Sequence, residues 1–354
     1  MRRKSNLPWI LPCVASALTL AAAQPSGGQI ASAPGLLFGD DAPLTLRLEA
    51  PFADVKRGSD DPEYSPARLS YVGPDGTTVG VDLRVRVRGK SRRQICSFPP
   101  LLLNFRTKEL AGTLLEGQDR LKLVTHCEPG DANAQWVHLE YLAYRVLNLL
   151  TEASLRARPV EVTYFDTERQ RELASHPGIL LEDEELFAAR HGLHAIADQS
   201  LQRTRYDESA LVLLETFQYF IGNTDWSALA GPAGSACCHN VVPLARDDGV
   251  LVPIAYDFDS SGIVDASYAL PDERLRISTV RERRYRGVCQ DLTTLRASFA
   301  PFLDRRHDIV ALYESHPLLT KRSRERALAY IEGFYGLIAD PARVERAFRS
   351  SCSD

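Results

Sequence analysis

The sequence predicts an α+β protein in two lobes, the first β-rich with one central helix and the second mainly helical. Three observations carry that expectation. From Gly80 to Arg88, the apolar residues Val81, Leu83, Val85 and Val87 alternate with Asp82, Arg84, Arg86 and Arg88, the period of two that marks a half-buried strand. Between Gln135 and Leu150 the period changes, and Leu139, Leu142, Ala143, Val146, Leu147 and Leu150 fall on one helical stripe. From Glu208 onward, apolar spacing of three and four dominates. With 354 residues, 44% hydrophobic and 25% charged, the chain has the length of about two domains or one bilobal unit. Disorder, collagen and a disulfide miniprotein are excluded by that composition.

Residues 1–23 read as a cleavable secretory signal: Arg2, Arg3 and Lys4, an apolar run from Leu7 to Leu20, then Ala21, Ala22 and Ala23 before Gln24. The apolar run is shorter than a membrane span and carries Pro12, so no span is expected once the signal is cleaved. Cleavage removes three cations and no acid, taking the net charge from −4 to −7. Such a chain has no electrostatic bias toward nucleic acid, which is excluded as a partner. Of the seven cysteines, Cys13 lies in the signal, leaving Cys96, Cys127, Cys237, Cys238, Cys289 and Cys352 for up to three disulfides in a secreted or periplasmic protein. The vicinal Cys237 and Cys238 are expected to bond to different partners.

Residues 24–42, rich in Ala, Gly, Pro and Ser, read as a flexible leader. The β-rich lobe is expected over 43–182. Its strands are Leu44 to Leu48, Gly80 to Arg88, Leu101 to Phe105 and Leu121 to Val124, then Pro159 to Phe165 and Ile179 to Leu181 after the helix of Gln135 to Leu150. The helical lobe follows over 183–354, with helices at Glu208 to Ile221, Leu303 to Ser315, Leu319 to Ile338 and Pro341 to Arg349. One apolar strand, Val250 to Tyr256, sits between loops.

Three constellations are suited to chemistry. Gly222 and Asn223 suit a left-handed helix stop, so Asp225 emerges in the loop just beyond a helix end. His239 and Asn240 follow, and the strand to Tyr256 ends in Asp257-Phe258-Asp259. A loop carboxylate, an amide and strand-end carboxylates together suit a base and a hard divalent cation. Taken singly, Asp225 is an ordinary turn residue and His239 a packed side chain. The second constellation is Lys122, one of only six lysines, on a strand between apolar neighbours, with Glu140 flanking the buried stripe of the next helix. A buried charge needs an opposite partner, so the two are expected to pair, the plain alternative being a snorkelling Lys and a boundary Glu. The third is the basic turn Arg88-Gly89-Lys90-Ser91-Arg92-Arg93, whose amides and cations suit phosphate, although it matches neither common phosphate-loop motif.

In order, a basic Gly turn, a strand Lys, a helix Glu, a helix-loop Asp, an Asn and a strand-end Asp-Phe-Asp resemble the parts of a protein-kinase-like fold. More narrowly, the chain resembles the CotH-like atypical spore-coat kinase family and its secreted relatives. That resemblance rests on Arg88 to Arg92, Leu139 to Ala143 leading into Arg158 to Val162, Gly178 to Glu182, Asn223-Thr224-Asp225, Asn240 and Tyr256 to Asp259. It implies a bilobal kinase-like fold and transfer of the γ-phosphoryl of ATP, with Mg²⁺ or Mn²⁺, to a hydroxyl-bearing acceptor that is a protein or, as a lesser case, a glycan or small molecule. Carried over by position, Lys122 holds the α/β-phosphates, Glu140 orients it, and Asp225 accepts the acceptor proton. Asn240 and Asp257 bind the metal with Asp259 as rival ligand. Arg88, Gly89, Lys90 and Arg92 cover the phosphates, and Leu181 belongs to the hinge beside the adenine. Two alternatives stand beside it: a metal-dependent transferase or hydrolase using Asp257 and Asp259, and a catalytically inactive binding module of the periplasm or cell surface. The Arg-dense stretch Ser278 to Cys289 is the candidate interaction face of the last.

Overall fold

Strand β1 (Leu44–Ala50) hydrogen-bonds along both of its edges, and that closes the first sheet into a barrel. In the computed structural model, which describes residues 35–56, 63–89, 91–198, 200–232, 235–349 and 352, the barrel continues through β2 (Ser65–Val72), β3 (Thr78–Val87), β4 (Leu101–Phe105), β5 (Arg120–Val124), β6 (Ala157–Asp166) and β7 (Arg171–Leu181). The strand order is β1-β2-β3-β4-β5-β7-β6, and β6 returns to β1 in parallel, from Leu44 opposite Val160 to Ala50 opposite Asp166. The other pairings are antiparallel. Alternation decides what fills the interior: Leu46, Leu48, Val85, Leu103, Leu121, Leu123 and Val162 are buried in one apolar cluster. Each such side chain contributes roughly 1.5–3 kcal/mol by leaving water.

Two short helices, α1 (Phe52–Lys56) and α2 (Ser91–Ile95), sit in the barrel connections. The long α3 (Asp131–Leu150) connects β5 to β6. Beyond β7 come α4 (Glu184–His191), β8 (His194–Ala195), α5 (Glu208–Ile221), β9 (Val241–Ala245) and β10 (Leu251–Ala255). The chain ends in α6 (Leu292–Asp304), α7 (Arg306–Ser315), α8 (Lys321–Ile338) and α9 (Pro341–Val344), the last running into a wider turn over Glu345–Arg349. Strands β10, β9 and β8 form a separate antiparallel sheet.

The α+β content matches the expectation; the bilobal, protein-kinase-like architecture does not. The first sheet is a closed barrel rather than the sheet of a β-rich lobe, because β1 finds a partner on each side and leaves no edge. The central helix packs on the end of the barrel and on the later helices alike. Leu142, Tyr144 and Leu147 of α3 share a core with Phe217 of α5 and Ile331 of α8, and Val124, Ile179 and Leu181 at the end of the barrel pack into the same cluster. The second half carries a three-stranded sheet as well as helices.

Smaller differences have local causes. The helix expected over Leu303 to Ser315 is the end of α6 and all of α7, broken after Asp304. Leu37 and Phe38, within the expected leader, are buried against the barrel, where Arg158 donates to the Leu37 carbonyl. The expected signal peptide, the leader up to residue 34 and Lys90 lie outside the described residues. The cysteines join as Cys96–Cys127, Cys237–Cys238 and Cys289–Cys352. The vicinal pair therefore bonds to itself, since the β-bridge of Phe98 to Cys127 brings Cys96 to Cys127 and the other two meet at the C-terminus. Three disulfides suit a protein that matures in an oxidising compartment, secreted or periplasmic. Among the described residues no helix is long and apolar enough to cross a membrane.

Candidate functional site

Helix α5 stops where the sequence says it must. Gly222 takes φ +69°, and its amide returns to the carbonyls of Gln218 and Tyr219. A side chain there would also collide with the Tyr330 hydroxyl. The buried Asn223 then turns the chain, its Oδ1 accepting from the Asp225 amide at 2.9 Å while its carbonyl accepts from the Trp226 indole at 3.2 Å. Asp225 emerges with its carboxylate 51% exposed. His239 Nε2 donates to Asp225 Oδ1 at 2.7 Å, and Asn240 Nδ2 donates to the Asp225 carbonyl at 2.7 Å and to Oδ2 at 3.3 Å. A bridge between Ser227 and His239 brings these residues together across the chain. The hydrogen bond to Asp225 raises the His239 pKa above its ordinary value against the opposing effect of burial. A cavity of about 450 Å³ opens beside this group, lined in part by Asp225, Trp226, His239, Arg274 and Arg286.

The second part of the site forms where β10 ends. Phe258 is wholly buried against Tyr144 and Phe217, with ring centroids 4.5 and 5.3 Å away, and this anchors Asp257 and Asp259 on either side of it. Asp257 sits at φ +63°, and its amide donates to the Tyr144 hydroxyl at 2.8 Å. Left-handed backbone at a residue other than glycine costs about 1–2 kcal/mol and is held here by that packing. Both carboxylates meet one guanidinium: Arg92 of α2 reaches Asp257 Oδ1 with Nη2 at 2.6 Å and Asp259 Oδ2 with Nε at 3.1 Å. Tyr268 also hydrogen-bonds Asp259.

Glu140 of α3 lies within electrostatic reach of this group. It is 2% exposed, and its Oε1 has no hydrogen-bond partner. Burial pushes its carboxyl up to about 8, Arg92 pulls the other way, and Asp259 and Asp257 add to the rise. Burial likewise raises Asp259, in spite of Arg92. Asp257 goes the other way: burial would raise it, but Arg92 and Arg88 outweigh burial and hold it below the ordinary carboxylate range.

Lys122 does not pair with Glu140. Leu121 and Leu123 point into the barrel, so Lys122 projects outward, where its ammonium donates to Glu184 Oε1 at the start of α4 and lies 4.4 Å from the centre of the Tyr256 ring. Burial, and after it the Arg88 guanidinium, lowers the ammonium pKa to about 7. Leu181 stands opposite Lys122 in the β5–β7 register with its side chain in the core. Glu182 beyond it is taken by Arg190 at 3.0 Å and by the Arg156 amide at 3.0 Å.

The structure thus joins Arg92 to Asp257 and Asp259, with Glu140 acting on them only electrostatically, and Asp225 to His239 and Asn240. The two groups are electrostatic neighbours, because Asp225 acts on Asp259 and Asp257 on His239. Arg88 acts on Lys122, Glu140 and Asp257, while Gly89, at φ +81°, is exposed beside it. Sequence reasoning passed over Glu184, Tyr144, Tyr268 and the pairing of His239 with Asp225. The acidic run Asp183 to Glu185, a helix N-cap signal, was the clue to α4 and its Glu184.

Among the described residues no three His, Cys, Asp or Glu side chains form a ready-made metal-binding group. No protein-family model matches the chain, and a search of curated proteins returns no match.

Proposed function

We propose that this chain is an exported phosphotransferase of the CotH-like kind, moving the γ-phosphoryl of ATP to a hydroxyl, with a protein as the first candidate acceptor. The observation that carries the reading is Asp225, a half-exposed carboxylate that lines an open cavity of about 450 Å³ and acts electrostatically on Asp259. His239 and Asn240 fix the orientation of Asp225, as a base must be fixed to take a proton in line with the reaction. In the transfer, the acceptor oxygen gives its proton to Asp225 and bonds to the γ-phosphorus. The bond from that phosphorus to the bridging oxygen breaks, and ADP leaves. Arg88, and Lys122 and Arg92 once they leave Glu184 and the two aspartates, are the cations that would neutralise phosphate oxygens, and such positioning and charge neutralisation account for most of phosphoryl-transfer catalysis.

The reading calls for a divalent metal at the strand-end donors, where no ready-made group of three acids stands among the described residues. Glu140 Oε1 is buried without a partner, and two acids, Asp257 and Asp259, share one guanidinium on which Glu140 acts only electrostatically. Asp257 and Asn240 would hold the ion, with Asp259 as the rival ligand. Magnesium-type sites take one or two carboxylates and complete their shell with phosphate and water, so they need no closed protein cage. The ion would neutralise charge on the transferring phosphoryl group.

The reading is tested by γ-labelled ATP with Mn²⁺. The wild type transfers label to itself or to an added protein, and Asp225→Ala, folded to the same extent, loses transfer by a factor of 100 or more, about the share ascribed to general-base catalysis. Hydrolysis or glycosyl transfer without any labelled acceptor would favour a metal-dependent enzyme of another class. One observation favours a binding module instead: Arg92 already satisfies both Asp257 and Asp259. Under that reading, alanine at Lys122, Asp225 and Asp257 leaves biological activity intact.

A further inference from the structure

One end of the barrel carries a cavity apart from the Arg92 and Asp225 groups. Where β1, β5 and β6 end and β7 begins, about 480 Å³ opens among their loops, and no residue of either group lines it. Small-molecule sites measure roughly 300–1,000 Å³, and barrel mouths are among the places they occur. Aromatic rings form the wall: Phe98 meets Phe52 and Tyr164 with centroids 5.5 and 4.3 Å away and stacks on His126 at 5.0 Å. His126 stacks in turn on His176 at 3.6 Å. The wall is preformed, since the Cys96–Cys127 disulfide, the Phe98 amide on the Cys127 carbonyl and the Thr125 hydroxyl on the Phe98 carbonyl, both at 2.8 Å, fix its backbone.

Two polar atoms of this wall lack partners. Tyr164 and His126 are 1% and 4% exposed, and neither the Tyr164 hydroxyl nor His126 Nδ1 has a hydrogen bond. Buried polar atoms are nearly always paired, so two unpaired ones in one cavity lining call for a further polar partner. The rim is cationic. Lys56 at the end of α1 and Arg169 and Arg171 around the β6–β7 turn line the cavity, with Asp166 as the acid among them. Asp166 is turned to the backbone, its Oδ1 accepting from the Glu168 and Arg169 amides at 3.0 and 3.2 Å. Glu128, whose charge reaches Lys56, is occupied by the Ser97 amide and hydroxyl at 2.6 and 2.7 Å. The Lys56 ammonium lies 5.1 Å from the centre of the Phe98 ring.

We propose that this barrel mouth binds a small aromatic carboxylate that carries a second polar group at its far end. The carboxylate meets Lys56 at the rim, the flat body lies against Phe98 and Phe52, and the far polar group reaches the Tyr164 hydroxyl and His126 Nδ1. The inference goes beyond the phosphotransferase reading and does not rest on it.

The test is calorimetric titration of the protein with para-hydroxybenzoate, benzoate and inorganic phosphate. The wild type is expected to bind para-hydroxybenzoate with a dissociation constant of about 1 mM or tighter, and benzoate and phosphate more weakly. Lys56→Gln, a change at an exposed residue, should weaken both aromatic acids about tenfold, the share of a charge-assisted contact. Tyr164→Phe should remove most of the preference for para-hydroxybenzoate over benzoate. Absence of para-hydroxybenzoate binding by the wild type overturns the proposal, as does binding that Lys56→Gln leaves unchanged. Phosphate bound as tightly as the aromatic acid would show a bare anion site and overturn it too, as would an unaltered preference in Tyr164→Phe. Should Tyr164→Phe fail to fold, the Lys56→Gln comparison decides.

Discussion

Lys122 of β5 pairs with Glu184 of α4, across the joint between the barrel and the elements that follow it. Both side chains are less than one-fifth exposed. Removing Glu184 leaves the Lys122 ammonium on the Tyr256 ring without its carboxylate. Glu184→Gln should therefore lower stability by about 1–3 kcal/mol in urea unfolding. Glu140→Gln removes no partner of Lys122 and should cost less. No loss in Glu184→Gln would contradict the pairing.

His126 offers a pH test away from the site. It is buried, with its ring 3.6 Å from His176 and 5.0 Å from Phe98, centre to centre. Burial, then His176 and Lys56, depresses its pKa to about 3. Between that value and the unfolded value of 6.5, the unfolded chain binds the proton and the native chain does not. The contribution of His126 to stability is thus present above pH 6.5 and is lost as pH falls below it, by about 2–3 kcal/mol on reaching pH 4.5. Urea unfolding of wild type and His126→Phe at several pH values should show a shallower acid loss in the variant. Parallel curves would rule the contribution out.

Gly222 is a further lever, because it ends α5 and sets up Asn223 and Asp225. Gly222→Ala meets both a left-handed backbone and the Tyr330 hydroxyl, and should cost about 2 kcal/mol or more. The Tyr330 hydroxyl has no hydrogen-bond partner, so Tyr330→Phe alone should be mild. The double variant should recover part of the loss, the part due to the collision. Full additivity of the two changes would assign the whole cost to backbone conformation.

What could be read from the sequence follows from where the signals are local. Helix α5 runs over the expected residues because its apolar spacing and its Gly222 stop lie in one short stretch, and β4 runs over Leu101–Phe105 as expected. The placing of Asp257 and Asp259 at a strand end was legible because β10 is apolar throughout. Strand β2 and the first half of β7 escaped notice, since polar residues such as Arg68, Ser70, Glu172 and His176 blur their alternation. Barrel closure has no local signal at all. It depends on β1 meeting β6 more than a hundred residues later, and the order of motifs that resembled a kinase says nothing about that pairing. Glu184 was hidden for the same reason, because its partner is distant in sequence.

The most direct measurement is a thermal shift of the protein with ATP and Mn²⁺, on wild type, Asp225→Ala and Asp257→Ala. At ligand about 100 times its dissociation constant, the wild type should gain about 2.7 kcal/mol. Asp225→Ala should keep the shift, since Asp225 serves the acceptor, and Asp257→Ala should lose most of it. No shift in the wild type with either Mn²⁺ or Mg²⁺ present would contradict the account, and the ionic cluster around Arg92 would then be structural.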